Sequence, residues 1–292
     1  MLIFADVMKK LLFVLTIVAA MALESLAAVP AVVRWGDVDA DTTAVVEMIA
    51  RLQAVPKAQR MEAAGRMFLD RPYAGGTLEG PEEVLTVRLD SLDCMTFVET
   101  VTALVMTANE NRRSWHDFLF NLASIRYRNA TVNNYPSRLH YVSDWIVDNA
   151  RRDNLVEVTG LIPGADYEVK SLDFMTENRS LYPALADEAN FRRMKDIEGG
   201  YRNHRIPRLQ KNRIGKDAIA KLLSGDIVAI TTNKKNLDVT HMAILVFDEK
   251  GQPHLLHAST AGNKVQIESR NLKDYLSRNR NVTGIRVFRL KD

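Results

Sequence analysis

The chain of 292 residues contains a single cysteine, Cys94. An internal disulfide is therefore impossible, and so is a zinc site built on cysteine pairs. No glycine-rich P-loop and no dinucleotide-binding glycine fingerprint occurs. Low-complexity tracts and fixed-period repeats are also missing, so a solenoid or a long linker is not expected. No strong charge of either sign stands out: 39 Lys and Arg face 36 Asp and Glu, for a net charge of +3. Such a balance suits an acidic partner without demanding one. What remains is ordinary for a globular protein, with 47% hydrophobic and 26% charged residues.

The longest apolar run, Leu11 to Leu23, spans 13 residues, short of the ~20 needed to cross a bilayer. Lys9 and Lys10 precede it, and Glu24-Ser25-Leu26-Ala27-Ala28 follows. A charged start, an apolar centre and a small-residue end make an export signal, with cleavage expected after Ala27 or Ala28. The expected location is therefore periplasmic or secreted, with no stable membrane insertion once residues 1–28 are removed. An oxidising compartment gives a lone thiol two possible explanations: it is buried and inert, or it is kept for reactivity.

Residues 29–292 read as one domain, helical first and strand-rich later, the signature of an α+β fold. Asp41 or Thr42 is expected to cap a helix with Val45, Val46, Ile49 and Leu52 on one side. A second helix is expected over Ala58 to Leu69, and a short strand over Val84 to Leu89. A long helix should follow Cys94, buried along the face of Val98, Val101, Leu104 and Val105. Ser114 and Asp117 form an approximate capping box for the next helix, and Val142 to Ala150 is helical again. Leu155–Val158 and Tyr167–Val169 are short candidate strands. Arg192 to Lys216 carries nine Lys and Arg against Asp196 and Glu198 and reads mainly as a solvated face. Strands are expected at Asp226–Thr231, His241–Phe247, His254–Ala258, Val265–Ile267 and Ile285–Leu290. The short turns among them imply an antiparallel sheet.

At a helix start, Cys94 would meet unpaired N–H groups and the positive dipole end, which favour the thiolate. A cysteine nucleophile also needs a base. His241 opens one strand and His257 closes the next, and a hairpin through Asp248 to Gly251 would make them cross-strand neighbours. His241 would then pair with Cys94 as an ion pair, and His257 would hold the other ring nitrogen and fix the tautomer. His254 and His257, three apart, should face opposite sides of a strand, which argues against a metal pair.

Five blocks now stand in order: Pro72-Tyr73-Ala74-Gly75-Gly76, Leu92-Asp93-Cys94-Met95-Thr96-Phe97-Val98, Ser224-Gly225-Asp226-Ile227-Val228, Thr240-His241-Met242-Ala243-Ile244 and His257-Ala258-Ser259. Together they resemble the NlpC type of papain-like cell-wall hydrolases. Cys94 and His241 lie 147 positions apart, more than in the compact core of those proteins. The intervening segments around Ile125–Asn129 and Ser137–Trp145 resemble the N-acetylmuramoyl-L-alanine amidase-like branch. The resemblance implies a Cys-bearing helix packed on an antiparallel sheet, with a large, mainly helical insertion over about 110–220. It implies a Cys94–His241–His257 mechanism without metal or organic cofactor. The expected substrate is peptidoglycan or a muropeptide, cut at the muramic acid–L-alanine amide, and nucleic acid is not an expected partner. By the same resemblance Tyr73 would lend its hydroxyl to the site, and the Cys94 N–H would be an oxyanion donor. Arg138, His140 and Tyr141 are further candidates, for lining a substrate pocket. A stem-peptide endopeptidase and a non-catalytic murein-binding module are the alternatives.

Overall fold

A computed structural model describes residues 32–291; the expected export signal lies outside the described residues. The chain runs through β1 (Val33–Trp35), α1 (Val38–Gln53), α2 (Arg60–Arg66), β2 (Leu85–Val87), α3 (Cys94–Asn109) and α4 (Trp115–Arg126). It continues through α5 (Val142–Arg151), β3 (Leu155–Glu157), β4 (Asp166–Lys170), α6 (Phe174–Glu177), α7 (Glu188–Gly199), β5 (His204–Gln210) and α8 (Lys216–Ile219). It ends with β6 (Ile227–Thr232), β7 (Val239–Phe247), β8 (Pro253–Ser259), β9 (Lys264–Ile267), α9 (Leu272–Ser277) and β10 (Val282–Leu290). The main sheet has the order β4-β5-β10-β6-β7-β8-β9, with β3 also on β10. All of its pairings are antiparallel.

Alternation along the central strands sends side chains to two cores. Ile227, Ala229, Met242, Ile244, Leu256 and Val265 join the cluster under α3, with Phe97, Val98, Val101 and Leu104. Val228, Ile230, Ala243, Leu245 and Leu255 point the other way, against Leu272 and Leu276 of α9. Thus α3 covers one face of the sheet and α9 the opposite one.

The helix following Cys94 was expected to bury one face. Instead nearly every residue from Thr96 to Val105 is buried, because α1, α2 and α4 pack around it while β7 and β8 close the remaining side. A helix apolar around its girth belongs at the centre of a core. The first helix also begins a turn before the expected cap. Asp37 accepts from the Ala40 N–H, whereas Asp41 is buried and accepts from the Asp37 N–H. Val46 consequently turns to solvent. The Ser114 box forms as read, with Ser114 Oγ accepting from the Asp117 N–H at 3.2 Å.

Segment 110–220 is mainly helical, yet it also contributes β3, β4 and β5, which widen the sheet beyond β10. In β5, Ile206 and Leu209 are buried between charged neighbours. Sequence reading took this stretch as solvated because of its basic residues. Arg208 finds Glu168 and Asp166 on β4, and Arg205 lies over the Tyr167 ring. At the entry to β6, Gly225 has φ +89°, and an added Cβ would lie 2.8 Å from Met61 Cβ. The Ser224-Gly225-Asp226 block is therefore a turn that only glycine fits without strain, with Asp226 paired to Arg289.

Candidate active site

Cys94 is the first residue of α3, and Asp93 caps that helix. The Asp93 carboxylate accepts from the Met95 and Thr96 N–H groups at 3.0 and 2.7 Å. Thr96 Oγ1 in turn accepts from the Asp93 N–H at 2.9 Å, completing a reciprocal box. The thiol is half-buried. Its sulfur is approached by the N–H groups of Met242, Cys94 and Met95. Burial, aided by the Asp93 charge, outweighs these donors and pushes the thiol up to about 11. The expected benefit of the helix start is therefore reversed: the capping carboxylate occupies two N–H groups and adds a repelling charge.

Met242 lies on β7 one residue past His241. The pairing of β7 with β6 slips between Ile230–His241 and Thr231–Val239, leaving Thr240 as a bulge. Bulges re-aim side chains beside functional sites. Pairing of β7 with β8 runs from Phe247–Pro253 to Ile244–Leu256. Extended along the same register, it places His257 opposite Ala243. His241 and His257 are thus diagonal rather than directly opposed neighbours, and their side chains bridge the offset. His241 Nε2 and His257 Nδ1 are 2.6 Å apart, with the rings nearly perpendicular. Nε2 being engaged, Nδ1 is the His241 nitrogen left for the sulfur.

His241 shares a face with its pair partner Ile230, the face covered by α9. Cys94 packs against the cluster on the α3 face. The thiol is tied to β7 through the Met242 N–H, the residue after His241, so thiol and imidazoles lie on neighbouring residues of one strand's surroundings but on opposite faces of the sheet. Burial pushes His241 down to about 3, with a smaller contribution from His257, and pushes His257 down to about 4. Burial thus acts against the charged form of the thiol and of both imidazoles, opposing the ion pair expected from the helix dipole.

Tyr73 is held at the edge of this arrangement. Its N–H donates to Asn263 O at 3.0 Å, and the flanking Pro72 and Ala74 bond to Leu92. Segment 70–73 thereby runs beside β9 and alongside the approach to Cys94. Burial raises the Tyr73 hydroxyl above its usual range, as do the nearby Cys94 and Asp93. Among the described residues that hydroxyl has no protein hydrogen-bond partner.

Three other candidates lie elsewhere. Arg138 is buried and spent on Glu79 and Glu83, with its guanidinium over Tyr135. Tyr141 is 2% exposed; its hydroxyl donates to Glu198 at 2.7 Å and accepts from the Met175 N–H. His140 bonds through Nε2 to Tyr135 O, and burial drives it well below the usual histidine range. These groups are engaged with protein partners that brace segment 110–220. His254 contacts Glu268 O and Asp248, on the opposite side of β8 from His257. Among the described residues no three His, Cys, Asp or Glu side chains converge as metal ligands.

Sequence reasoning missed Tyr275. Its ring stands edge-on to His257, centroids 5.7 Å apart, and burial, with the Glu268 charge, raises its hydroxyl above the usual range. The available signal was the Asn271-capped turn with Leu272, Tyr275 and Leu276 at helical spacing.

Residues 63–285 match the AmiA-like family, described as N-acetylmuramoyl-L-alanine amidase-like. A crystal structure of an N-acetylmuramoyl-L-alanine amidase from Bacteroides uniformis is 37% identical, covering 81% of this chain and 99% of its own, with a TM-score of 0.77. A Bacteroides fragilis structure solved under a provisional xylanase name is also 37% identical, covering 78% and 99%, with a TM-score of 0.74. A Legionella pneumophila protein at 19% identity covers 87% and 95% with a TM-score of 0.68, a likeness of fold alone. No curated protein matches the chain. By a match spanning most of its length, the chain belongs to the AmiA-like, N-acetylmuramoyl-L-alanine amidase-like family.

Proposed function

We propose that this protein is an exported cysteine amidase that cleaves the bond between N-acetylmuramic acid and L-alanine in peptidoglycan or muropeptides. The observation that carries the reading is a sole thiol at a helix start beside a hydrogen-bonded imidazole pair, in a member of an amidase-like family. We assign the fold to the NlpC type of papain-like hydrolases, as one domain with segment 110–220 inserted. The export signal supports a periplasmic or secreted location.

The chemistry starts from an uncharged thiol and imidazole, the forms that burial favours. His241 Nδ1 takes the thiol proton as Cys94 Sγ attacks the lactyl carbonyl carbon, so charge develops only as the S–C bond forms. The oxyanion lies against the Cys94 N–H, which Asp93 leaves uncapped, with the Tyr73 hydroxyl as a second donor. His241 returns the proton to the departing alanine nitrogen, and the C–N bond breaks to leave a thioester. Water then attacks the thioester with His241 as base, releasing a muramyl carboxylate and the free thiol. His257 orients His241 throughout.

The xylanase name of one relative would call for a pair of carboxylates flanking a glycosidic bond. Here Asp93 caps a helix and Glu268 is held by Arg270, so the geometry favours acyl transfer. The test is mass spectrometry of defined muropeptides incubated with the mature protein, wild type beside Cys94→Ala. Free stem peptide beginning with L-alanine, from wild type only, is the expected result. A sugar-linked L-Ala–D-Glu fragment would move the cut into the stem peptide, and unaltered substrate would favour a murein-binding module.

A further inference from the structure

His241 can accept the Cys94 proton on Nδ1 only if its own proton sits on Nε2. In the 2.6 Å contact, His241 Nε2–H must then donate to His257 Nδ1. Neutral His257 must in consequence carry its proton on Nε2. That atom is buried in a residue 1% exposed, and among the described residues it has no protein hydrogen-bond partner. Something else must favour the proton there, because the opposite tautomer of the pair would leave His241 Nδ1 already protonated and unable to act.

The strand register supplies a candidate. His257 pairs with Gln266 on β9, and the Glu268 N–H donates to Leu255 O at 2.8 Å. Glu268 therefore stands on the same sheet face as His257, two residues further along. The same two-residue step separates His257 from His241, so His241, His257 and Glu268 form one diagonal row across β7, β8 and the end of β9. Glu268 is 4% exposed and is fixed by a two-point contact with Arg270, at 2.7 and 3.0 Å. Arg270 reaches over the Tyr275 ring, and Tyr275 packs on His257.

We propose that Glu268 is a positioning residue for the imidazole pair: without a direct hydrogen bond to Nε2, its carboxylate acts through space, favouring the His257 proton on Nε2 and stabilising the positive charge gained when His241 takes the Cys94 proton. The groups facing His257 are His241 from β7, Glu268 and Arg270 beyond β9, and Tyr275 from α9. Of these only Glu268 is a carboxylate; its charge opposes the burial that lowers His257, while the Arg270 charge acts with that burial. The inference rests on His241 acting as base toward Cys94, the reading proposed above.

The experiment is alkylation of Cys94 by iodoacetamide across pH, with 15N spectra of the imidazoles, in the mature wild type, Glu268→Gln and Glu268→Asp. Near neutral pH alkylation needs His241 to take the thiol proton as the S–C bond forms, whereas at pH 10 solvent hydroxide can remove that proton without the base. Glu268→Gln should slow the neutral reaction by about tenfold, the scale of one charge acting across a partly buried site, and leave the rate at pH 10 unchanged. Glu268→Asp should recover part of the neutral rate. The His257 proton should move from Nε2 toward Nδ1 in Glu268→Gln alone. An unchanged profile and tautomer in Glu268→Gln would overturn the assignment, as would an equal loss at every pH in both variants. Should Glu268→Gln not fold, the wild-type spectrum decides, and a His257 proton on Nδ1 refutes the idea. Alkylation needs no substrate, so failure of wild type to cut any muropeptide sinks the functional reading without touching this one.

Discussion

The helix–sheet core around α3 and the outer part of segment 110–220 are held together by different means. The core is apolar: Phe97, Val98, Val101, Leu104 and the inward residues of β6 to β9 are almost entirely buried. A fully buried ion pair crosses its edge, Arg126 with Glu99 at 2.6 Å, and Arg126 also donates to Thr86 O. Segment 110–220 sends Phe118, Leu122, Trp145 and Ile146 into that core, and its outer part has a small apolar cluster of Tyr135, Tyr141, Leu172, Met175, Leu185 and Met194. Polar contacts do much of its bracing. Asp144 holds Arg128 and Tyr201, Asp148 holds Arg151 and Arg152, and Glu198 gathers Tyr141 and Thr176. Apolar packing tolerates a chemical group set at its margin, whereas a buried polar network loses several bonds with each member removed. Reactive groups and structural polar groups are accordingly separated in this molecule.

The largest test of that separation is Cys94→Ala. Muropeptide turnover should vanish while the urea midpoint stays within the shift of about 1 kcal/mol typical of a mild substitution. Replacing His241 by Ala should lower kcat by about 10²–10⁴-fold, the usual size of a lost general base, read in the same assay. Stability should respond in the reverse sense. Glu99→Gln leaves the Arg126 charge buried and unpaired, at a cost of about 3–5 kcal/mol. Asp144→Asn, beside a more exposed Arg128, should cost about 1–3 kcal/mol. Denaturant titration checks both, and neither should alter the alkylation rate of Cys94 in the folded protein. A large change in that rate on Asp144→Asn would mean that the segment couples to the site.

The smallest expected effect is on pH dependence. His241 and His257 are held down to about 3 and about 4, below the 6.5 of an unfolded chain. The unfolded state therefore binds protons first as pH falls, and stability declines from about 6.5 downward. Cys94 is raised to about 11, so the unfolded state loses its proton first, and stability declines again above about 9. Thermal melts of wild type beside His257→Asn should show a weaker acid limb in the variant, and beside Cys94→Ala a weaker alkaline limb.

Legibility followed the same division. The strands bearing His241 and His257 were readable because alternating apolar runs broken by turns have few other solutions. The Ser114 box and α5 were also readable from local pattern. Strand β5 was not, because Arg205 and Arg208 find partners on β4 that lie far away in sequence. Arg138 and Tyr141 looked like ligand-binding groups for the same reason: a polar side chain in sequence gives no sign of whether a buried partner awaits it. Glu79, Glu83 and Glu198 supply those partners.

By itself the sequence determined which residues could do chemistry here. One thiol follows a helix cap, and two histidines sit at the ends of successive strands; these are local facts, fixed by spacing and residue type. Only the tertiary structure decided how they act. A bulge at Thr240 and the diagonal register of β7 and β8 brought the imidazoles together from the face opposite α3. Burial then disfavoured charge on thiol and imidazoles, against the influence of the helix start. Register and desolvation depend on segments far apart in the chain packing together, and no local pattern records them.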